Sequence, residues 1–245
     1  MTTTLERFEV HSYWGGGPLT QLELVCLSSF VQNGAHYNLY TYDEPAGVPD
    51  GITLRDASEI LPADRMFLYP AGTLNEGSLS GFSNLFRYTL LQRTGGWWVD
   101  TDVCCLRPFD QDRDELYLRE ETQSGEFFVA SCIFRVPSAS AVLQRCLEAF
   151  SHKDVTKVVH GETGPALLTD AVRQSGREDA VQPGDQFFPV PWWDYERLFF
   201  DEQLSIDHCC AVHFWNTMLR TAGVDKNADF PANSAFERLK RRYLS

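Results

Sequence analysis

Residues 8–13 (FEVHSY) alternate apolar and polar side chains, the period of a half-buried strand. They run into Trp14-Gly15-Gly16-Gly17-Pro18, where glycines permit close backbone approach. Over residues 19–31 the apolar positions Leu22, Val25, Leu27 and Phe30 fall near helical spacing. Residues 37–42 (YNLYTY) read as a second strand closed by Asp43-Glu44-Pro45, and a short strand over 52–55 leads into a helical turn over 57–61. Strand, glycine loop, helix, strand is the opening of an α/β domain with parallel strands.

The pattern is sharpest over residues 78–108. Ser80 is placed to cap a helix over 81–93 with an apolar stripe of Phe82, Leu85, Phe86 and Leu90. Ser83, Asn84 and Arg87 share another face of that helix. Gly95-Gly96 ends it, and Trp97-Trp98-Val99 reads as a buried strand that delivers Asp100-Thr101-Asp102 and continues over 103–106. Further along, the pattern predicts a strand over 127–136 and a helix over 139–150. Another helix follows Gly164-Pro165 through Val172. Short strands over 187–190 and 211–214 flank the aromatic segment Trp192-Trp193-Asp194-Tyr195, and a last helix covers 235–243. No internal repeat or low-complexity linker interrupts the chain, so one domain over 1–245 is expected.

Asp100 and Asp102 carry the chemistry. Positions i and i+2 of a strand point to one side, and the end of a strand in an open α/β sheet is where ligands bind. Two carboxylates so close repel one another unless a cation lies beside them, and hard oxygen donors suit Mg²⁺ or Mn²⁺ with phosphate and water in the remaining positions.

The stretch F-S-N-L-F-R-Y-T-L-L-Q-R-T-G-G-W-W-V-D-T-D-V resembles the D-x-D region of glycosyltransferase family 32, a group with the GT-A fold. The family pattern has Asp where this chain has Asn84. H-S-Y-W-G-G-G-P-L, L-Y-T-Y-D, Thr163-Gly164-Pro165 and V-H-F-W-N over 212–216 are similar to further family segments. The resemblance implies a Rossmann-like nucleotide-sugar-binding fold with a mixed, mostly parallel central sheet flanked by helices. It also implies a nucleotide-binding half over about 1–110 and an acceptor and metal-completing half over about 111–245.

By the same resemblance, Asp102 ligates the metal, and Asp100 holds ribose and metal-bound water or shares the metal. His213 completes the metal shell. Arg87 and Asn84 contact the donor sugar or its phosphates, with Ser83 and Thr101 beside them. Tyr13 and Trp14 stack on the base, which any π-face permits, and Asp43 lies near base or ribose. Trp193, Trp215 and Asn216 fall on the acceptor side, with Trp192 part of the same aromatic cluster and His160 near the cleft; His11 has no such context. The implied activity is metal-dependent, retaining transfer from a nucleoside-diphosphate sugar, UDP-linked ahead of GDP-linked, to a saccharide or lipid-linked glycan in surface polysaccharide synthesis.

Two other classes compete. W-W-V-D-T-D-V also fits the first motif of haloacid-dehalogenase phosphatases, which needs a downstream acidic motif that Gly184-Asp185 only approaches. A non-catalytic nucleotide-sugar or glycan-binding module is the third class. Composition narrows the partners: the net charge of −13 argues against nucleic acid, since the longest basic run is Lys240-Arg241-Arg242. No stretch approaches a membrane span, and residues 1–9 have no apolar signal region. Seven cysteines, two pairs of them vicinal, read as buried small hydrophobes in a reducing compartment, so a cytoplasmic protein is expected.

Overall fold

A computed structural model describes residues 8–244. Most of the expectation about residues 1–9 therefore lies outside the described residues. Among the described residues, nine strands form two sheets. In the first half are β1 (Glu9–Tyr13), β2 (His36–Thr41), β3 (Ile52–Asp56), β4 (Gly96–Val99) and β5 (Val103–Cys105). The second half adds β6 (Leu116–Glu121), β7 (Phe127–Val136), β8 (Val181–Gln182) and β9 (Ala211–His213). The large sheet has the order β3-β2-β1-β4-β7-β6-β8. Its pairings leave β7 as the one strand running against the other six. Strands β5 and β9 form a separate antiparallel ladder.

Seven helices flank the sheets: α1 (Gln21–Gln32), α2 (Ser80–Thr94), α3 (Ala141–Ser151), α4 (Leu167–Gln174), α5 (Arg197–Phe200), α6 (Asn216–Ala222) and α7 (Ala235–Tyr243). The alternation in β4 divides the core. Trp98 packs with Phe82, Phe86 and Tyr88 of α2, whereas Trp97 and Val99 pack on the other face with Leu27 and Phe30 of α1. The back of α1 is apolar as well, and its Leu22, Val25 and Cys26 join Phe214 and Phe236 in a third core. Helix α1 is thus buried between the sheet and the C-terminal segment. Its one buried acid, Glu23, accepts from Thr20 N–H at 2.9 Å and pairs with Lys226 Nζ at 2.5 Å.

The structure corrects several sequence expectations. Ser80 is inside α2 and Leu79 holds the cap position; the Ser78 hydroxyl accepts the Ser80 N–H at 3.2 Å instead. Residues 187–190 form no strand, because the turn at Gly184 takes the Phe187 and Phe188 amides (2.8 Å each). Strand β5 does not extend β4: the turn at 100–102 moves it onto β9. Strand β6, whose L-Y-L-R-E-E alternates poorly, was not foreseen. All seven cysteines are free, and Cys104 and Cys105 point into different cores as neighbours on a strand must. Cys210 is only half-buried. No helix of the described residues is long and apolar enough to cross a membrane.

The α2–β4 junction depends on Gly95, at φ 66° and ψ −164°, a region essentially restricted to glycine. A Cβ there would lie 2.5 Å from the Ser138 backbone nitrogen. Gly34 also has positive φ, +86°, but open space around it. Gly95→Ala should therefore cost about 3 kcal/mol or more, and Gly34→Ala about 1 kcal/mol. Urea unfolding of the two variants checks this; equal losses would contradict it.

Candidate active site at the carboxyl edge of the sheet

Strands β1, β2 and β4 run parallel, with Tyr13 opposite Tyr40 and His11 opposite Trp98. Their carboxyl ends therefore align, and Trp14, Asp43 and Asp100 all emerge at one edge, where open α/β sheets bind ligands. The Asp100-Thr101-Asp102 turn is fixed by backbone: Asp100 N–H donates to Cys132 O on β7 at 2.7 Å, and Val103 N–H donates to Asp100 O at 3.1 Å.

Asp100 is held by the face of α2 that carries Ser83 and Arg87. Arg87 is buried, and its Nη2 lies 3.0 Å from Asp100 Oδ1. The same guanidinium donates through Nη1 to Ser131 O, through Nη2 to Ser83 Oγ at 3.1 Å and through Nε to Ser83 O at 3.3 Å. It also lies over the Trp98 ring, 4.9 Å from its centroid. Trp98 Nε1 donates to Asp100 Oδ1 at 2.7 Å. Arg87 and Ser83, expected at the donor, are thus engaged with protein in this structure, Arg87 with Asp100, Ser83 and Ser131. Burial and the nearby Asp102 charge raise the Asp100 pKa; Arg87 and Trp98 oppose this without cancelling it.

Asp102 is the centre of a second cluster. The β5–β9 ladder places His213 opposite Val103. His213 Nε2 lies 3.2 Å from Asp102 Oδ2, and the same oxygen accepts the Asn216 N–H at 2.8 Å. Phe214 N–H donates to Asp102 O at 2.9 Å. Burial works against both charged forms. The imidazole outweighs it at Asp102, whose pKa falls; the carboxylate and the Cys132 sulfur outweigh it at His213, whose pKa rises well above normal. Cys132 itself is pushed up to about 11 by burial, so at neutral pH Asp102 is the charge that matters. His213 Nδ1 is buried, and the Cys132 side chain interacts with the same imidazole.

Between the two amides that Asp102 holds sits Trp215, at φ 56° and ψ 51°. A bulky residue in the left-handed region is an outlier that its surroundings must enforce. Trp215 is 7% exposed, its ring centroid is 4.0 Å from that of His213, and its Nε1 is buried without a partner.

The other predicted residues divide. Tyr13 stacks on Phe86 at 4.7 Å inside the core, so its ring is taken by packing rather than offered to a base. Trp14 is half-buried, with Nε1 donating to Gly17 O at 2.8 Å. Asp43 is exposed and Thr101 buried. Asn84 donates to Thr163 Oγ1 at 3.1 Å, which ties α2 to the Thr163-Gly164-Pro165 turn. A Cβ on Gly164 would sit 3.1 Å from Asn84 Nδ2. Trp193 is half-buried and edge-on to Trp192 at 5.6 Å. His160 is exposed and bonded to Asn75 at 2.6 Å, and His11 is buried within β1 with its pKa lowered to about 4, chiefly by burial.

Sequence reasoning missed three contributors. Ser131 and Cys132 act through backbone carbonyls, which no side-chain pattern announces. Glu120, on the unforeseen β6, is raised in pKa by burial, with His213 acting against the rise. It lines a cavity of about 530 Å³ with Asp185, Trp193 and Trp215. Asp185, the candidate for the phosphatase's second acidic motif, lies on the wall of that cavity.

Residues 137–243 match the family model described as "Alpha 1,4-glycosyltransferase conserved region". The match takes in the 163–165 turn and His213 and leaves Asp100 and Asp102 outside. Human alpha-1,4-N-acetylglucosaminyltransferase is 24% identical over 151 residues, covering 56% of this chain and 42% of that protein. The chain thus spans about two fifths of that relative's length. Among solved structures, the UDP-bound glycosyltransferase domain of the YGT toxin superposes with a TM-score of 0.50 at 9% identity, over 72% of this chain and 79% of that one. The fold is GT-A. PaToxG glycosyltransferase gives a TM-score of 0.48 at 11% identity, over 97% of this chain and 86% of that one.

If Arg87 acts by holding Asp100, Arg87→Ala should destabilise the protein by about 3 kcal/mol, through the carboxylate left unpaired. In an Asp100→Asn background the same substitution should cost at least about 1 kcal/mol less. A double-mutant cycle in urea checks the coupling; additive losses would contradict it.

Proposed function

We propose that this protein is a metal-dependent glycosyltransferase that takes a nucleoside-diphosphate sugar, UDP-linked ahead of GDP-linked, and passes the sugar to a saccharide or glycolipid hydroxyl. The observation that carries this reading is the Asp102 cluster: a buried carboxylate at the carboxyl edge of a GT-A sheet, clasped to an imidazole from the far end of the chain. The match of residues 137–243 and the similarity to a human glycosyltransferase support it. Retention of anomeric configuration and a role in surface polysaccharide synthesis follow from the family resemblance. The sheet draws strands from both halves, in keeping with one domain. The free thiols suit a reducing compartment, the cytoplasm.

The residues fit a divalent cation by donor type. Two hard carboxylates and one imidazole come to this edge of the sheet, and the side-chain and Asn216 contacts described above go to a single oxygen of each carboxylate. Among the described residues no three His, Cys, Asp or Glu side chains are gathered tightly enough to hold an ion unaided. An ion held here would take its remaining positions from water and substrate phosphate. Asp100, Asp102 and His213 would hold the ion, which when bound screens the diphosphate and favours its departure.

The remaining roles belong to the chain. Arg87 fixes the Asp100 carboxylate, and Asn216 N–H fixes Asp102. Trp14 offers an indole face to the base and Asp43 a carboxylate to the ribose. Asn84 holds the 163–165 turn against α2, so its effect on donor choice passes through that turn. Trp193 and Trp215 stand on the acceptor side.

A panel of UDP- and GDP-sugars with Mn²⁺ or Mg²⁺, scored for nucleotide release, tests the reading. Release should vanish with chelator and fall at least about 100-fold in Asp102→Asn. Full activity in the folded variant, or no release from any donor, would contradict it.

A further inference from the structure

A cavity of about 530 Å³ lies not at Asp100 and Asp102 but beside them. Trp215 and Phe188 form part of its wall, and both rings also pack on His213, at 4.0 and 6.1 Å between centroids. One layer of aromatic rings therefore separates the cavity from the Asp102–His213 pair. At about 530 Å³ it falls in the range of small-molecule sites.

Its construction is specific. Gly184 brings the 183–185 turn so close that a Cβ would lie 2.1 Å from Arg119 O and 2.6 Å from the Phe188 ring. The β6 edge and the Phe188 ring can flank the cavity only with glycine there. Trp215 is held in a left-handed conformation by the Asp102 contacts on both sides of it, and its buried indole N–H has no acceptor in the protein. The polar wall is one-signed: Glu120, Glu121 and Asp185 against Arg119 alone, and Arg119 is paired with Glu121 at 2.8 Å. Glu120 and Asp185 accept no hydrogen bond among the described residues, so both carboxylates are available as acceptors.

We propose that this cavity is the subsite for the sugar acceptor, and that it takes an uncharged hexose: an apolar ring face against Trp193 and Trp215, and hydroxyls donating to Glu120 and Asp185. Aromatic faces with a few converging polar groups suit an amphipathic ring. The same carboxylates repel an acceptor bearing a uronate, sialate or phosphate. The assignment rests on the transferase reading above and adds the acceptor's chemical class to it.

Ligand-observed NMR on the unliganded full chain tests it with the methyl β-glycosides of galactose, glucose and N-acetylglucosamine as neutral probes and that of glucuronic acid as the charged one. At least one neutral glycoside should bind at millimolar concentration and the glucuronoside should not. Trp193→Ala should weaken neutral binding about tenfold, and Trp193→Phe should restore most of it. Glu120→Gln should weaken neutral binding and admit the glucuronoside, with circular dichroism confirming that each variant is folded. Absence of any neutral binding, equal binding of the glucuronoside, or wild-type binding by both Trp193→Ala and Glu120→Gln would overturn the assignment. Nucleotide release from the donor panel separates the two readings. Release without glycoside binding overturns the acceptor cavity alone. Glycoside binding without release supports the cavity as a sugar site and overturns the transferase.

Discussion

The buried carboxylate of Asp102 ties together segments 114 residues apart. It receives the Asn216 amide and faces the His213 imidazole, while its carbonyl receives the Phe214 amide. The ladder that aligns these groups has only three residues in each strand. The left-handed Trp215 conformation and the wall of the neighbouring cavity depend on the same contacts. A charged group this buried is costly unless paired, so removal of either partner is felt at the turn, the tryptophan and the cavity together.

The second anchor, Arg87 to Asp100, gives the acid excess a different meaning. A chain of net charge −13 that binds a diphosphate needs positive charge at the site. The obvious source in the sequence, Arg87, is buried and committed to Asp100, Ser83 and Ser131. Its charge therefore stabilises a carboxylate that would otherwise be driven toward the neutral form by burial. On the proposed reading, the compensating charge for the donor comes from a cation on the two carboxylates, and Arg87 maintains the form of Asp100 able to hold it.

The strand–loop–helix opening, α2, β4, β7 and α7 were legible because each has a strong period and a clear stop: Gly95 for α2, Pro137 after β7. The turn at 100–102 was legible as the end of an apolar strand that brings two carboxylates to one edge of the sheet. Strand β6 was not, because three consecutive polar residues, Arg119, Glu120 and Glu121, mask its alternation, and the cavity built on it was hidden in turn. The partners of Arg87 were also out of reach: helical spacing placed Ser83 and Arg87 on one face but could not say that β7 would cover it. Tyr13 shows the same limit, since its place in the core follows from where Phe86 comes to lie, a tertiary fact.

The central claim is that Asp102 serves a cation-dependent nucleotide site. Titration calorimetry of UDP into the full chain, with Mn²⁺ and then with chelator, tests it most directly and needs neither acceptor nor turnover. The account predicts Mn²⁺-dependent binding that weakens at least about tenfold in folded Asp102→Asn. UDP binding that is indifferent to both Mn²⁺ and the substitution would contradict it.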